Sequence, residues 1–165
     1  MKVLFLAAGL IPLSTVAAHA SEVPAVTIDM FESLAGDDWS GSLTYLNYQA
    51  PFEDVTIPAN IEISLLDSGL KLDYKYPNEP HANSSSVASI SENGTVFMNE
   101  PVIANTLTDD GVREIKTAFA CEDMGRSAQC EMTYMFSSST LQITKMVTYD
   151  GEIEAFRRNA YTFQR

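Results

Sequence analysis

The sequence predicts an all-β fold, a single antiparallel up-and-down β-barrel of about ten strands with one short N-terminal helix. Three observations predict it. Apolar and polar residues alternate with period two over much of the chain, turn dipeptides interrupt these runs at short intervals, and no linker or internal repeat marks off a second domain. At 165 residues, 45% of them hydrophobic, the chain is long enough for one substantial core.

The first twenty residues are of a different kind. Lys2 precedes an apolar run from Val3 to Leu13, followed by Ser14, Thr15 and Ala17-Ala18-His19-Ala20, an A-x-A site that predicts cleavage after Ala20. Residues 1–20 therefore read as a secretory signal peptide and 21–165 as the barrel domain. The apolar run falls short of the roughly 20 residues that a membrane-spanning helix needs, so the mature protein is expected in the periplasm or outside the cell and not as an integral membrane protein.

Val26 to Leu34 holds a helical pattern, with Ile28, Phe31 and Leu34 on one side and Gly36 as a stop. Beyond it the turn signals are Asp67-Ser68-Gly69, Glu92-Asn93-Gly94, Asp110-Gly111, Gly125 and Asp150-Gly151, where Asn-Gly and Asp-Gly supply the positive φ angles of tight hairpins. Between them Ile57, Ala59, Ile61, Ile63 and Leu65 alternate with polar neighbours, as do Leu70, Leu72, Tyr74 and Tyr76. The strands fall near 41–50, 54–66, 70–77, 85–91, 95–99, 101–108, 112–121, 129–137, 140–149 and 152–164. A meander with one apolar face closes on itself to remove its exposed edges. About ten strands would leave more interior than side chains fill, and so room for a ligand.

Cys121 and Cys130 are the only cysteines, and in an exported chain an even pair reads as a disulfide. With Gly125-Arg126 at the centre of a hairpin, pairing partners sum to 251, which sets Cys121 directly opposite Cys130. Two thiolates alone would leave a metal short of ligands.

The segment from Leu34 through Trp39 to Gly41, the meander and the terminal Phe156-Arg157-Arg158-Asn159-Ala160-Tyr161 together resemble the calycin superfamily, the lipocalins, fatty-acid-binding proteins and nitrobindin-like barrels. The resemblance is to a lipocalin-like group of exported bacterial proteins. It implies that Trp39 opens the barrel and that an arginine near the C-terminus, Arg157, Arg158 or Arg165, stacks on its ring.

With 10 Lys plus Arg against 22 Asp plus Glu, a formal charge of −12, binding to nucleic acid or an anionic membrane is disfavoured. Removal of residues 1–20 takes Lys2 and leaves −13. The few cations are then the informative charges. Lys145 shares a strand face with Leu141, Ile143, Val147 and Tyr149, and an inward ammonium group needs a carboxylate, a phenol or an anionic ligand. Pairing across Asp150-Gly151 by a sum of 301 sets Phe156 opposite Lys145 and Arg158 opposite Ile143. Lys145 and Arg158 then share a face, unless a bulge turns one of them outward. Two such cations would suit a carboxylate or phosphate head group.

The stretch from Tyr74 to Ser84 carries two prolines and a run of polar residues, and reads as a stiff loop at one barrel mouth. Tyr74, Tyr76 and His81 are its candidate ligand contacts. Glu79 and His81 would be the pair to use in an enzyme of unfamiliar type, but no second histidine, helical His motif, nucleophile elbow or phosphate loop accompanies them. The sequence names no cofactor. The expected function is a non-catalytic exported barrel holding a small hydrophobic or amphipathic ligand such as a lipid or tetrapyrrole. A barrel acting on other proteins through its loops is the alternative.

Overall fold

The computed structural model describes residues 23–165. The segment 1–20, read from the sequence as a signal peptide, and its expected cleavage site lie outside the described residues. A 3-10 helix, Ile28–Leu34, leads into ten antiparallel strands: β1 Gly36–Leu46, β2 Asp54–Leu66, β3 Gly69–Lys75, β4 Ser84–Ser89, β5 Val96–Phe97, β6 Glu100–Leu107, β7 Arg113–Asp123, β8 Arg126–Phe136, β9 Thr140–Tyr149 and β10 Phe156–Gln164. Every strand pairs with its sequence neighbours except β4 with β5, and β1 pairs with β10. Only a single bridge, Ile90 to Phe97, with hydrogen bonds from Met98 N to Ser89 O (2.8 Å) and Ser91 N to Val96 O (3.0 Å), joins β4 to β5. The barrel is therefore all but closed, with β4 and β5 as its seam.

Period-two patterning sets the faces. Trp39, Ile61, Ile63, Leu72, Ile115, Tyr134, Ile143 and Phe163 point inward and are buried, while Lys71, Lys75, Gln142 and Arg157 stand on the outer face. Gly36 does not stop the chain after the helix but turns it straight into β1, five residues earlier than the sequence pattern suggests.

The helix seals one end. Phe31 inserts between Phe97 and Phe136, with ring centroids at 5.3 and 5.2 Å, and Phe97 meets Tyr134 edge-on at 4.9 Å. Asn105, itself buried, holds the segment before the helix by donating to the carbonyls of Pro24 and Ala25, both at 3.1 Å. Trp39 is 1% exposed and donates its indole N–H to Leu34 O at 2.8 Å.

Of the three candidate arginines, Arg165 is the one over Trp39, 4.4 Å from the ring centroid. Its guanidinium also donates to the carbonyls of Ser33, Ala35 and Ser138, tying the helix, the start of β1 and the β8–β9 turn together. Arg165→Ala leaves those carbonyls without their charged donor and uncovers the indole. We expect it to cost about 2 to 3 kcal/mol in urea unfolding and to shift the near-UV signal of Trp39. An unchanged transition would show that the latch contributes nothing.

The Cys121–Cys130 disulfide is formed, with a Cα–Cα distance of 5.9 Å. Its register corrects the sequence reading. Cys130 lies opposite Phe119 and Cys121 opposite Ala128, so the bridge is diagonal across the hairpin. The turn is centred on Met124-Gly125, both at positive φ, with glycine second as the primed two-residue turn prefers. A shift of two residues per pair preserves the face, so the cysteines remain inward. Opening the bridge with Cys121→Ser and Cys130→Ser should cost about 2 to 3 kcal/mol without loss of the fold, measurable by the shift in urea midpoint. Failure to fold would mean that the bridge decides folding.

Candidate functional site

The loops β1–β2, β3–β4, β7–β8 and β9–β10 surround the end opposite the helix. Burial at that end is uneven: Ala128, Cys130, Val147, Asp123 and Arg158 are buried there, whereas other inward residues are only partly covered. Under the helix the interior encloses a cavity of only about 20 Å³, lined by Phe31, Leu34, Leu72, Tyr134, Phe136 and Ile143 among others. That half of the barrel is packed. Leu43, Tyr45, Ile57, Tyr74, Met132 and Tyr161 are the inward residues left only partly buried. A larger groove of about 510 Å³ lies on the surface at the helix end, between Val26–Ile28 and the loops at Asp67 and Glu92. Its charged groups are those two acids, and no cation lines it.

Tyrosines form one wall of the mouth. Tyr76 is buried and its hydroxyl lies 2.7 Å from that of Tyr161, while the Tyr74 ring packs on Tyr161 at 4.9 Å. One hydroxyl of the Tyr76–Tyr161 pair donates to the other, which leaves one proton to offer elsewhere. Burial pushes the Tyr74, Tyr134 and Tyr161 phenols well above the ordinary tyrosine range, and the Tyr76 bond adds to this at Tyr161. All three remain neutral hydrogen-bond donors at physiological pH. Tyr134 spends its proton on Met98 Sδ at 3.1 Å.

Lys145 sits halfway along β9, between the inward residues Ile143 and Val147, and faces Met132 on β8 and Asn159 on β10. The ion pairs of the described residues engage Lys71, Lys75, Lys116, Arg126, Arg157, Arg158 and Arg165, and Arg113 donates to Asn105 at 2.8 Å. Lys145 alone among the described lysines and arginines has neither an ion pair nor a hydrogen bond. It is part-buried on the inward face, beside Met132, Asn159, Ile143 and Val147.

Arg158 also reaches the interior, by a route that period-two counting misses. β9 and β10 pair as Phe156 with Val147 and Arg157 with Met146, then as Asn159 with Lys145. Arg158 is thus the extra residue of a β-bulge, and Lys145 faces Asn159 where the simple hairpin count sets Phe156. The β9–β10 connection is a six-residue loop, 150–155, which explains the failed count.

The bulge turns the Arg158 side chain inward toward Asp123, the last residue of β7, and both side chains are almost fully buried. Nε lies 2.9 Å from Asp123 Oδ1, but off the line of its N–H, so the contact is an ion pair without a well-aimed hydrogen bond; Nε and Nη2 have no acceptor. Nη1 reaches Leu46 O at 3.3 Å, and the Tyr48 ring covers the guanidinium at 3.4 Å. Tyr149 donates to the other Asp123 oxygen at 2.9 Å. Desolvation, then that bond and the Asp123 charge, raise the Tyr149 phenol.

The loop Tyr76–Asn83 is fastened by Tyr76 N donating to Asn83 Oδ1 at 2.7 Å and carries a 3-10 turn, Pro80–Ala82. Glu79 and His81 are both exposed on it. Among the described residues no group of three or more His, Cys, Asp or Glu side chains is placed to hold a metal. The structure thus places Tyr74 and Tyr76 at one end of the barrel and Lys145 on the inward face midway along β9, sets Arg158 toward that same end in its own ion pair, and leaves His81 on the rim.

Sequence reasoning missed Tyr161 and Asp123. Tyr161 had a readable signal, since it shares parity with Phe163. Asp123 had none, because one more acid in an acidic chain does not announce a buried partner.

No family model matches the chain, and no curated protein does. Among solved structures it is similar to the 2.40 Å crystal structure of a candidate outer membrane protein from Bacteroides fragilis NCTC 9343, at 15% identity and a TM-score of 0.34. The match covers 85% of this chain and 54% of that one, so the chain spans about half the length of that neighbour. Among the described residues no helix is long and apolar enough to cross a membrane.

Proposed function

We propose that the barrel is a non-catalytic carrier for a small amphipathic anion, a lipid-like carboxylate or phosphate, held at the mouth opposite the helix. The observation that carries this is Lys145, an inward cation without a protein partner. A half-buried ammonium group needs a counter-charge, and the protein supplies none. The head group would sit on Lys145, with the spare Tyr76–Tyr161 proton as a second donor. Tyr74 would pack beside the head group and His81 would touch the ligand from the rim. The apolar part would lie against Ile57, Phe119 and Phe156 and extend toward solvent, because the helix half is already packed.

The same reading takes the chain as exported, with the leader removed after Ala20, and the closed disulfide supports it. The polar outer face runs against a membrane-spanning barrel, which shows lipid an apolar band. The Arg165–Trp39 stack and the strand order support the calycin-like reading of the fold.

Calorimetric titration of residues 21–165 with laurate, dodecyl phosphate and dodecanol tests the proposal. The two anions should bind and the alcohol, with the same tail and no charge, should not. Equal binding of all three, or of none, would overturn it.

A further inference from the structure

The seam of the barrel holds an unfinished edge. β5 has only two residues, and the β5–β6 hairpin turns back at Met98-Asn99, both at positive φ, part of the way down the wall. Below that turn β4, paired with β3 on one side, has no strand partner on its other side from Ser84 to Ala88, and β7 has no β6 partner from Ala118 to Asp123. The unpaired edge of β4 runs along this opening for five residues, about 16 Å.

The β4 edge has a readable polarity. Ile90 N donates to Ser68 on the β3 side, whereas Ser89 O accepts from Met98 on the other. Backbone direction alternates along a strand, so the N–H and C=O groups of Ser84, Ser86 and Ala88 serve β3, while those of Ser85 and Val87 point into the opening. Val87 is 56% exposed. Exported proteins protect such edges with lysine, proline or a bulge. Here Asn83 to Ile90 contains no charge and no proline, in a chain of which 19% is charged.

We propose that the β4 edge takes an extended, basic peptide segment of a partner protein, which adds a strand antiparallel to β4. The charge around the opening selects the partner: Glu79 precedes β4, Glu100 stands at the foot of β6, and Glu122 lies on the unpaired end of β7. The nearby lysines of β3 are already occupied, Lys71 by Asp73 at 2.7 Å and Lys75 by Glu62 at 2.8 Å. A second copy of this chain would bring the same acids to the same edge. The inference stands apart from the small-molecule reading and uses none of its residues.

A peptide of alternating lysine and valine, seven residues long, is a suitable probe, titrated into residues 21–165 with hydrogen exchange as the readout. The amides of Ser85 and Val87 should gain protection on binding, whereas Ser86 and Ala88, already bonded to β3, should not change. Val87→Pro removes a donor that faces only the opening, so the β3 ladder survives; binding should weaken about tenfold or more, while Val87→Ala binds as the parent does. If Val87→Pro does not fold, the alternating protection pattern in the parent decides the matter alone. No binding of the probe, protection that ignores the alternation, or a dimer of the protein that Val87→Pro dissolves would each overturn the proposal.

Discussion

Asp123→Ala is expected to destabilise the barrel by about 3 to 5 kcal/mol, because it strands a buried guanidinium. The Arg158 and Asp123 side chains are 3% and 2% exposed, and Arg158 has no second carboxylate. Its remaining contacts, one long bond to Leu46 O and the Tyr48 face, do not neutralise it. Tyr149 loses its acceptor in the same substitution. Against a typical domain stability of about 5 to 15 kcal/mol this is a large fraction. Removing both charges with Asp123→Leu and Arg158→Met should cost far less than Asp123→Ala, since no buried charge is left unpaired. Urea unfolding of the two variants checks this, and a loss below about 1 kcal/mol in Asp123→Ala would mean that water reaches the guanidinium.

Lys145→Met is expected to do the opposite, sparing the fold and removing the ligand. The side chain keeps its length and apolar stem but loses a charge that no protein group compensates, so the unfolding midpoint should stay or rise. Loss of the single ionic contact to a carboxylate or phosphate should weaken its binding about thirtyfold or more. Lys145→Arg should retain most of the affinity. Calorimetry with laurate separates the cases, and an unaltered affinity in Lys145→Met would move the head group away from β9.

The architecture was legible because period-two burial and the primed turns are local properties. Ile57 to Leu65, Leu70 to Tyr76 and the two cysteines announce their faces without tertiary information. Pairing register was less legible. Counting from Gly125-Arg126 placed the cysteines directly opposite, whereas the turn prefers glycine in second place and the bridge is diagonal.

At β9–β10 a six-residue loop and a bulge at Arg158 defeated the same counting. A bulge has no local signature in this stretch; it is fixed by the burial of Arg158 against Asp123, 35 residues earlier in the chain. The inward placement of Lys145 was legible from its apolar neighbours on β9, whereas its lack of a partner depends on where every acid lies. The choice among three arginines for Trp39 was likewise set by where the C-terminal strand ends, beside the helix and the β8–β9 turn.

The most direct test of a carrier function is native mass spectrometry of the protein purified from its own host, beside Lys145→Met prepared in the same way. One small anionic molecule bound per chain is expected in the parent and none in the variant. Bare polypeptide mass in the parent, or the same adduct in both, would contradict it.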